Sequence, residues 1–164
     1  MTTSTSESIQ HERELGTDAC RRSMFDHGLL LLRLGLVVLV WTFHMARKLA
    51  DVSTELREFP DPLGIGHATS FLLALGSEGL GSILVALGLA TRVASLSVAF
   101  TMAVVLVLAA QGFEGADVQS ALLYALPYTA LVLTGAGRWS LDYVFGARYT
   151  RAWARLTRRH ERAR

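Results

Sequence analysis

The chain has 164 residues, of which 51% are hydrophobic, and its mean hydropathy is +0.35. The apolar residues form long continuous blocks, the formal net charge is only +2, and the single cysteine, Cys20, excludes an internal disulfide or thiol pair. No nucleic-acid-binding motif is present. Because each block is close to the roughly 20 residues that cross a bilayer, we predict one domain of membrane-spanning helices.

Four apolar blocks follow a polar N-terminal segment. Residues 1–27 are rich in Ser, Thr and Glu and have no apolar period, so we predict a flexible cytoplasmic tail and not a cleavable signal peptide. The predicted spans are about Gly28–Leu49, His67–Ala90, Val93–Ala110 and Val118–Ala136. The fold class that follows is all-α, an integral membrane four-helix bundle over residues 28–143. Within it, Pro127 is expected to kink the fourth span and Thr91 to cap the third.

The segment after the spans is basic and amphipathic. Ser140 is a candidate N-cap of a following helix, and Asp142 would favour the positive N-terminal end of that same helix. Residues 144–164 combine an apolar face with a run of arginines, which is typical of a juxtamembrane segment that binds anionic lipid headgroups. The alternative is a solvated tail without a lipid role. Because Lys and Arg concentrate on the side of the two termini, the positive-inside rule places both termini in the cytoplasm of an inner or plasma membrane protein.

The second span carries one acid at bilayer depth. Glu78 lies roughly 15 Å into this span, where a charge costs about 2.5–3.5 kcal/mol on insertion scales and usually faces a partner inside a bundle. The first span has a polar stripe that includes Arg33, Trp41, His44 and Lys48. We predict a buried polar cluster of Glu78, His44 and Lys48, with Trp41 as an apolar or stacking wall.

Two interpretations of this cluster remain open from the sequence. It either handles a proton or a polar headgroup, such as that of a quinone, or it only locks two helices together. As secondary candidates, Arg33 and Arg92 are expected to be interfacial anchors, while Tyr124 and Tyr128 are expected to be core residues with satisfied hydroxyls. The histidines are scattered, so no metal site is predicted, and no arrangement typical of a catalytic nucleophile or a phosphate loop occurs.

From about Leu32 to Tyr143 the chain resembles the DoxX family of small four-helix membrane proteins. The similar stretches are Arg33–Gly35 with Trp41, His44 and Lys48–Leu49, then Phe59–Gly66, Glu78–Arg92, Thr101–Met102, Ala121–Tyr124 and Gly135–Asp142. Relatives often have a His near the end of the third span and an acid just before the ALLY motif. Here these places are filled by Ala109–Gln111 and Gln119.

The resemblance implies a four-helix inner-membrane protein and a role in a redox complex. We therefore expect an auxiliary subunit of a membrane oxidoreductase or quinone-linked complex, with a quinone as the implied cofactor. Its expected partners are redox-complex subunits or further copies of the chain. The alternative is a non-catalytic membrane scaffold or assembly factor. A small-solute carrier is disfavoured, because four spans without an internal repeat leave little room for alternating access.

Overall fold

The computed structural model describes residues 2–113 and 116–146, and all regular structure in these two ranges is helical. The first helix, α1, runs as an α-helix over Thr2–Leu39, continues through a π-helical segment at Val40–Met45 and ends as Ala46–Ala50. An all-α fold was predicted and is confirmed.

Four further helices follow α1. A short helix, α2, covers Val52–Glu58. The helix α3 is made of His67–Leu75, a second π-helical segment at Gly76–Leu80, and Gly81–Leu87. The helices α4 and α5 cover Thr91–Ala110 and Val118–Thr134, and residues 141–146 form one more helical turn. The loop predicted between the first two spans therefore contains a helix, α2, which Asp51 begins by accepting a hydrogen bond from the Thr54 N–H.

The N-terminal segment is helical from Thr2 onward, and the flexibility predicted for residues 1–27 stays a prediction. The helix extends without a break from α1 back to Thr2, and Arg21 pairs with Asp18 at 3.5 Å on its exposed surface. Glu, Gln, Arg and Leu in this segment are good helix formers. Since the apolar part of α1 already supplies the costly helical nucleus, propagation into the polar segment needs only the cheaper step of adding residues.

In the part of the chain that the structure describes, three helices are long and apolar enough to cross a membrane, namely Gly16–Ala50, His67–Leu87 and Thr91–Ala110. The fourth predicted span is the apolar helix Val118–Thr134, whose 17 residues reach the lower limit for crossing a bilayer. A fourth crossing therefore stays a prediction. The helix passes Pro127 without ending. Most of the predicted basic segment, residues 147–164, lies outside the described residues.

The helices pack in sequence around one apolar core. The second apolar helix, α3, lies between α1 and α4, and α5 packs along the whole of α4. A contact between the rings of His44 and Tyr124, with centroids 4.7 Å apart, joins α5 back to α1. The core side chains, all at most 7% exposed, include Leu36, Val40, Met45, Val85, Val98, Met102, Tyr128 and Leu131. The bundle is thus closed, with the polar Glu78 inside it.

A sharp turn joins α3 to α4 and depends on two left-handed residues. Gly88 has φ +68° and Ala90 has φ +47°. The carboxylate of Asp142 accepts hydrogen bonds from the backbone N–H of Ala90 at 2.7 Å and of Thr91 at 3.0 Å, so it caps α4 from outside the bundle. The predicted cap by the Thr91 side chain is therefore wrong. Asp142 lies in the first turn of the helical residues 141–146, as predicted, and its carboxylate also caps α4. Ser140 does cap that helix, since its hydroxyl accepts from the Tyr143 N–H.

Replacing Gly88 by Ala is expected to destabilise the protein strongly. A Cβ at this position would lie 2.3 Å from Arg33 Nη1 and 2.4 Å from Ser140 Cβ, in addition to about 1–2 kcal/mol for the left-handed conformation. The measurement is thermal unfolding of the purified protein in mild detergent. Gly76→Ala is the matched control, because Gly76 has φ −65° and no atom within 4 Å of its added Cβ. Equal unfolding temperatures for the two variants would contradict this account of the turn.

Candidate functional site

A buried ion pair joins α1 to α3 close to their two π-helical segments. Lys48 Nζ lies 2.8 Å from Glu78 Oε1, and the side chains are only 14% and 2% exposed. The second carboxylate oxygen of Glu78 lies 3.6 Å from His44 Nδ1. Three residues that the sequence predicts as a cluster therefore do lie together, about 16 Å along α3 from its start at His67. The cluster therefore contains a carboxylate, an ammonium and an imidazole.

Both helices depart from α-helical geometry where they carry this cluster. His44 lies in the π-helical segment Val40–Met45, and Glu78 lies in the π-helical segment Gly76–Leu80. A π-turn inserts one residue into a helix, leaves some backbone groups out of the regular ladder, and occurs frequently at functional sites. The two segments contact each other, and the side chain of Met45 approaches Gly79 so closely that an added Cβ would lie 2.9 Å from its sulfur. The π-turns thus aim His44 and Glu78 into the bundle while the helix backbones stay close.

Two tyrosines of α5 complete the inner wall of the cluster. The Tyr124 ring meets the His44 ring edge-on at 4.7 Å, and Tyr128 is fully buried one turn further along α5. Both tyrosines interact electrostatically with Glu78. The hydroxyl of Tyr128 and the Oε2 atom of Glu78 have no hydrogen-bond partner among the described residues. This differs from the expectation of a satisfied Tyr128 hydroxyl, and it leaves one donor and one acceptor available beside His44.

Trp41 lies outside this cluster and does not stack on it, so the stacking part of the predicted apolar or stacking wall is wrong. Its side chain is 39% exposed and lines an apolar groove between α1 and α3. The prediction assumed 100° per residue along the first span. The π-turn adds a residue, so that Val40 and Met45, five positions apart, are both buried, and Trp41 is rotated out of the seam.

The loop after α1 covers the cluster from the outside. Phe59 lies against Lys48, whose Nζ is 5.5 Å from the ring centroid, and packs on Phe71 of α3. Asp61 holds this loop by accepting hydrogen bonds from Gly66 N at 2.7 Å and Ser70 Oγ at 2.8 Å. Partial burial of the Asp61 carboxyl acts to raise its pKa, but these bonds outweigh burial and the net shift of the pKa is downward. The loop is therefore ordered by an ionised aspartate.

Arg33 and Arg92 lie at the opposite end of the bundle. Arg33 was expected to be an interfacial anchor, but it is fully buried and donates to the backbone oxygens of Val85, Ala86 and Trp139. It caps the C-terminal end of α3, where free carbonyl groups and the helix dipole favour a cation. Arg92 is exposed and lies close to Gly135, as an interfacial residue would. Neither arginine contacts the Glu78 cluster.

Metal binding is not suggested by the described part of the chain. Among the side chains that the structure describes, no three of His, Cys, Asp or Glu lie close enough together to hold a metal ion.

Comparison with known proteins finds one family. A family model described as DoxX matches residues 28–111, which is just over half of the chain and contains both members of the ion pair. The match agrees with the resemblance drawn from the sequence motifs, and it ends before α5, which carries Tyr124 and Tyr128. No curated protein and no solved structure matches the chain.

Removing one member of the ion pair should destabilise the bundle more than removing both. Lys48→Met is expected to cost about 3 kcal/mol or more, because it leaves the Glu78 carboxylate buried without its cation. The double variant Lys48→Met/Glu78→Gln should recover most of this loss, and Arg47→Met, which removes an exposed neighbouring charge, should cost little. Thermal unfolding in detergent measures these three variants and the single variant Glu78→Gln. A double variant as unstable as the sum of the single variants would contradict a direct interaction.

The loop over the cluster should open in acid. Because the pKa of Asp61 is lower in the folded protein, its contribution to loop stability is fully present above the ordinary carboxyl pKa and is lost as pH falls through the lowered value. Hydrogen exchange of the Ile65 and Gly66 amides, which donate to Asp61, should therefore lose protection near and below pH 4. Asp61→Asn should abolish most of this pH dependence. Protection that persists unchanged in acid would show that other contacts hold the loop.

Proposed function

Because the chain belongs to the DoxX family and buries an acid–base cluster within its bundle, we propose that it is an auxiliary subunit of a quinone-linked membrane oxidoreductase. In this proposal the cluster of Glu78, Lys48 and His44 receives the quinone headgroup. The observation that carries the proposal is the pair of buried polar atoms without a partner, Glu78 Oε2 and the Tyr128 hydroxyl, beside a histidine.

The chemical character of the cluster fits a quinone headgroup. A quinone presents two carbonyl oxygens, which accept hydrogen bonds, on a flat apolar ring. The Tyr128 hydroxyl and the Lys48 ammonium are donors, His44 can donate from a ring nitrogen, and the aromatic edge of Tyr124 supplies an apolar contact. The Tyr128 hydroxyl, a buried donor without a hydrogen-bond partner among the described residues, favours a ligand that satisfies it, because an unpaired polar group in an apolar medium costs free energy.

An apolar groove beside the cluster would hold the remainder of such a molecule. It has a volume of about 400 Å³, within the range of small-molecule sites. Its lining consists of Trp41, Met45, Leu49, Leu72, Leu75, Gly76, Gly79, Leu80 and Ile83. Met45 lies between the groove and the cluster, and its unbranched side chain is the kind that can move to admit a ligand.

The contribution of this chain would be binding and proton supply. Reduction of a bound quinone requires electrons from a redox centre of a partner subunit and protons from the surroundings. His44 and Glu78 would hold and deliver the protons, while Lys48 would keep the carboxylate in place between deliveries. The same proposal includes partner subunits and a location in the inner or plasma membrane with both termini in the cytoplasm. It also includes binding of anionic lipid headgroups by the basic C-terminal segment.

A scaffold or assembly factor is the second candidate. Two observations favour it: Lys48 already satisfies one oxygen of Glu78 directly, and Gly79 lets Met45 pack tightly between α1 and α3. Under this alternative the ion pair only locks the helices together, and partners dock elsewhere on the bundle.

Quinone binding by the purified protein decides between the two. We expect protein in mild detergent to retain quinone or to bind a short-chain quinone analogue. Tyr128→Phe removes a donor and should weaken binding about tenfold, the equivalent of one hydrogen bond to a buried group, and Glu78→Gln should weaken binding because it releases the donor Lys48 from its position. Equilibrium binding followed by fluorescence, with extraction of bound quinone, is the measurement.

The controls separate loss of a site from loss of the fold. Glu58→Gln removes an exposed acid from α2 and should leave binding unchanged. Absence of quinone binding in the wild type, together with reduced abundance and reduced recovery of partner proteins in Glu78→Gln, would contradict the quinone site and support the scaffold. Affinity purification in the same detergent identifies the partners.

A further inference from the structure

Four buried polar atoms have no hydrogen-bond partner among the described residues. They are Glu78 Oε2, Tyr128 OH, Ser95 Oγ and Thr91 Oγ1, and each of these residues is at most 2% exposed. An unpaired polar group in an apolar interior is unfavourable, so such groups in proteins are usually joined by ordered water. Their positions relative to one another therefore matter.

The contacts between α3 and α4 fix the positions of the Ser95 and Thr91 hydroxyls along the bundle axis. Ser77 of α3 is hydrogen-bonded to Thr101 of α4 at 2.7 Å, and an added Cβ on Gly81 would lie 3.4 Å from Ser97 Oγ. These antiparallel pairs place Ser95 about one turn below the level of Glu78. Thr91 follows one turn further, where α3 ends at Leu87.

Two contacts of α5 place Tyr128 in the same series. The Tyr124 ring meets the ring of His44, which lies 3.6 Å from Glu78, so Tyr124 is near the level of Glu78. Tyr128 follows one turn further toward Leu133, whose backbone oxygen accepts from Arg92 of α4. Tyr128 therefore lies near the level of Ser95, between Glu78 and Thr91. The four residues thus occupy three levels along the bundle axis, about 6 Å apart, with Tyr128 and Ser95 at the middle level, and one or two water molecules span such a step.

Titratable groups stand at both ends of this row. At one end His44, 24% exposed, lies 3.6 Å from Glu78. At the other end the carboxylate of Asp142 accepts a hydrogen bond from the Thr91 N–H at 3.0 Å and, with Thr91, lines a cleft of about 370 Å³ that opens to the outside of the bundle. Arg33, buried near the same end, is held by backbone carbonyls and by attraction to Asp142.

We propose that the hydroxyls of Tyr128, Ser95 and Thr91 are bridged by internal water and form a proton path between Glu78 and the cleft at Asp142. A hydroxyl both donates and accepts, so a proton passes along the row as each group accepts one hydrogen and releases another, and no atom other than hydrogen is displaced. Glu78 accepts or releases the proton at one end, and Asp142 does so at the other. The path connects a site in one half of the membrane with the opposite surface.

This path depends on the hydroxyl row alone and needs no quinone. The test of the proton path contains no quinone, so a negative result leaves the proposed function in place. A failure to bind quinone likewise leaves the proton path in place. The full chain is reconstituted into liposomes with a pH-sensitive dye inside, and a potassium diffusion potential drives proton movement. We expect faster pH change than in protein-free liposomes, and loss of most of this increase in Ser95→Ala and in Tyr128→Phe.

Ser97→Ala is the matched control, because Ser97 lies on the same helix but its hydroxyl already donates to the Ala94 carbonyl at 2.8 Å. It should keep the wild-type rate. Thermal unfolding of Tyr128→Phe gives a second readout. A hydroxyl bridged by water should lower the unfolding temperature when removed, whereas a hydroxyl that is truly unpaired should raise it. A wild-type rate equal to that of protein-free liposomes, unchanged rates in both hydroxyl variants, or a raised unfolding temperature would each overturn the proposal.

Discussion

The structure depends on one charged side chain, that of Glu78, which is removed from water and paired with a cation inside the bundle. Glu78 lies deep in α3, and Lys48 reaches it from α1 at 2.8 Å. A carboxylate placed alone at this depth would be strongly unfavourable, and its pairing fixes both the height and the rotation of α1 relative to α3. The π-turns at Val40–Met45 and Gly76–Leu80 carry His44 and Glu78, whose side chains meet inside the bundle at 3.6 Å.

At the other end of the bundle, charged side chains form hydrogen bonds with free backbone groups at the ends of helices. Arg33 closes the carbonyl end of α3, and Asp142 closes the amide end of α4. Gly88 makes this possible because it has no side chain where the guanidinium of Arg33 passes. The bundle therefore has a polar centre at each end, with different tasks. The centre at Arg33 completes backbone hydrogen bonding, whereas the centre at Glu78 keeps an oxygen that no described residue satisfies.

The difference between the two centres bears on function. A group whose hydrogen bonds are complete stabilises the fold and offers little to a ligand or a proton. An incomplete centre that includes a histidine and lies next to an apolar groove has the properties of a binding site. Membership of the DoxX family rests on residues 28–111, which contain Lys48, His44 and Glu78. Tyr128 and residues 138–142 lie beyond the matched residues. The contacts that they make are therefore known from this chain alone and not from the family match.

The sequence by itself determined the all-helical class, the positions of the apolar helices and the association of Glu78 with His44 and Lys48, because continuous hydrophobicity and one isolated buried acid leave few other solutions. Only the tertiary structure decided which neighbouring residues join them. A π-turn is set by packing between helices and has no clear sequence pattern, so Trp41 was assigned to the wrong side. The burial of Arg33, the capping of α4 by Asp142 and the partnerless Ser95 depend on contacts between residues far apart in the chain, and the helical N-terminal segment depends on the helix that it extends. Local propensity and periodicity carry no information about such contacts, whereas a folded bundle fixes them all at once.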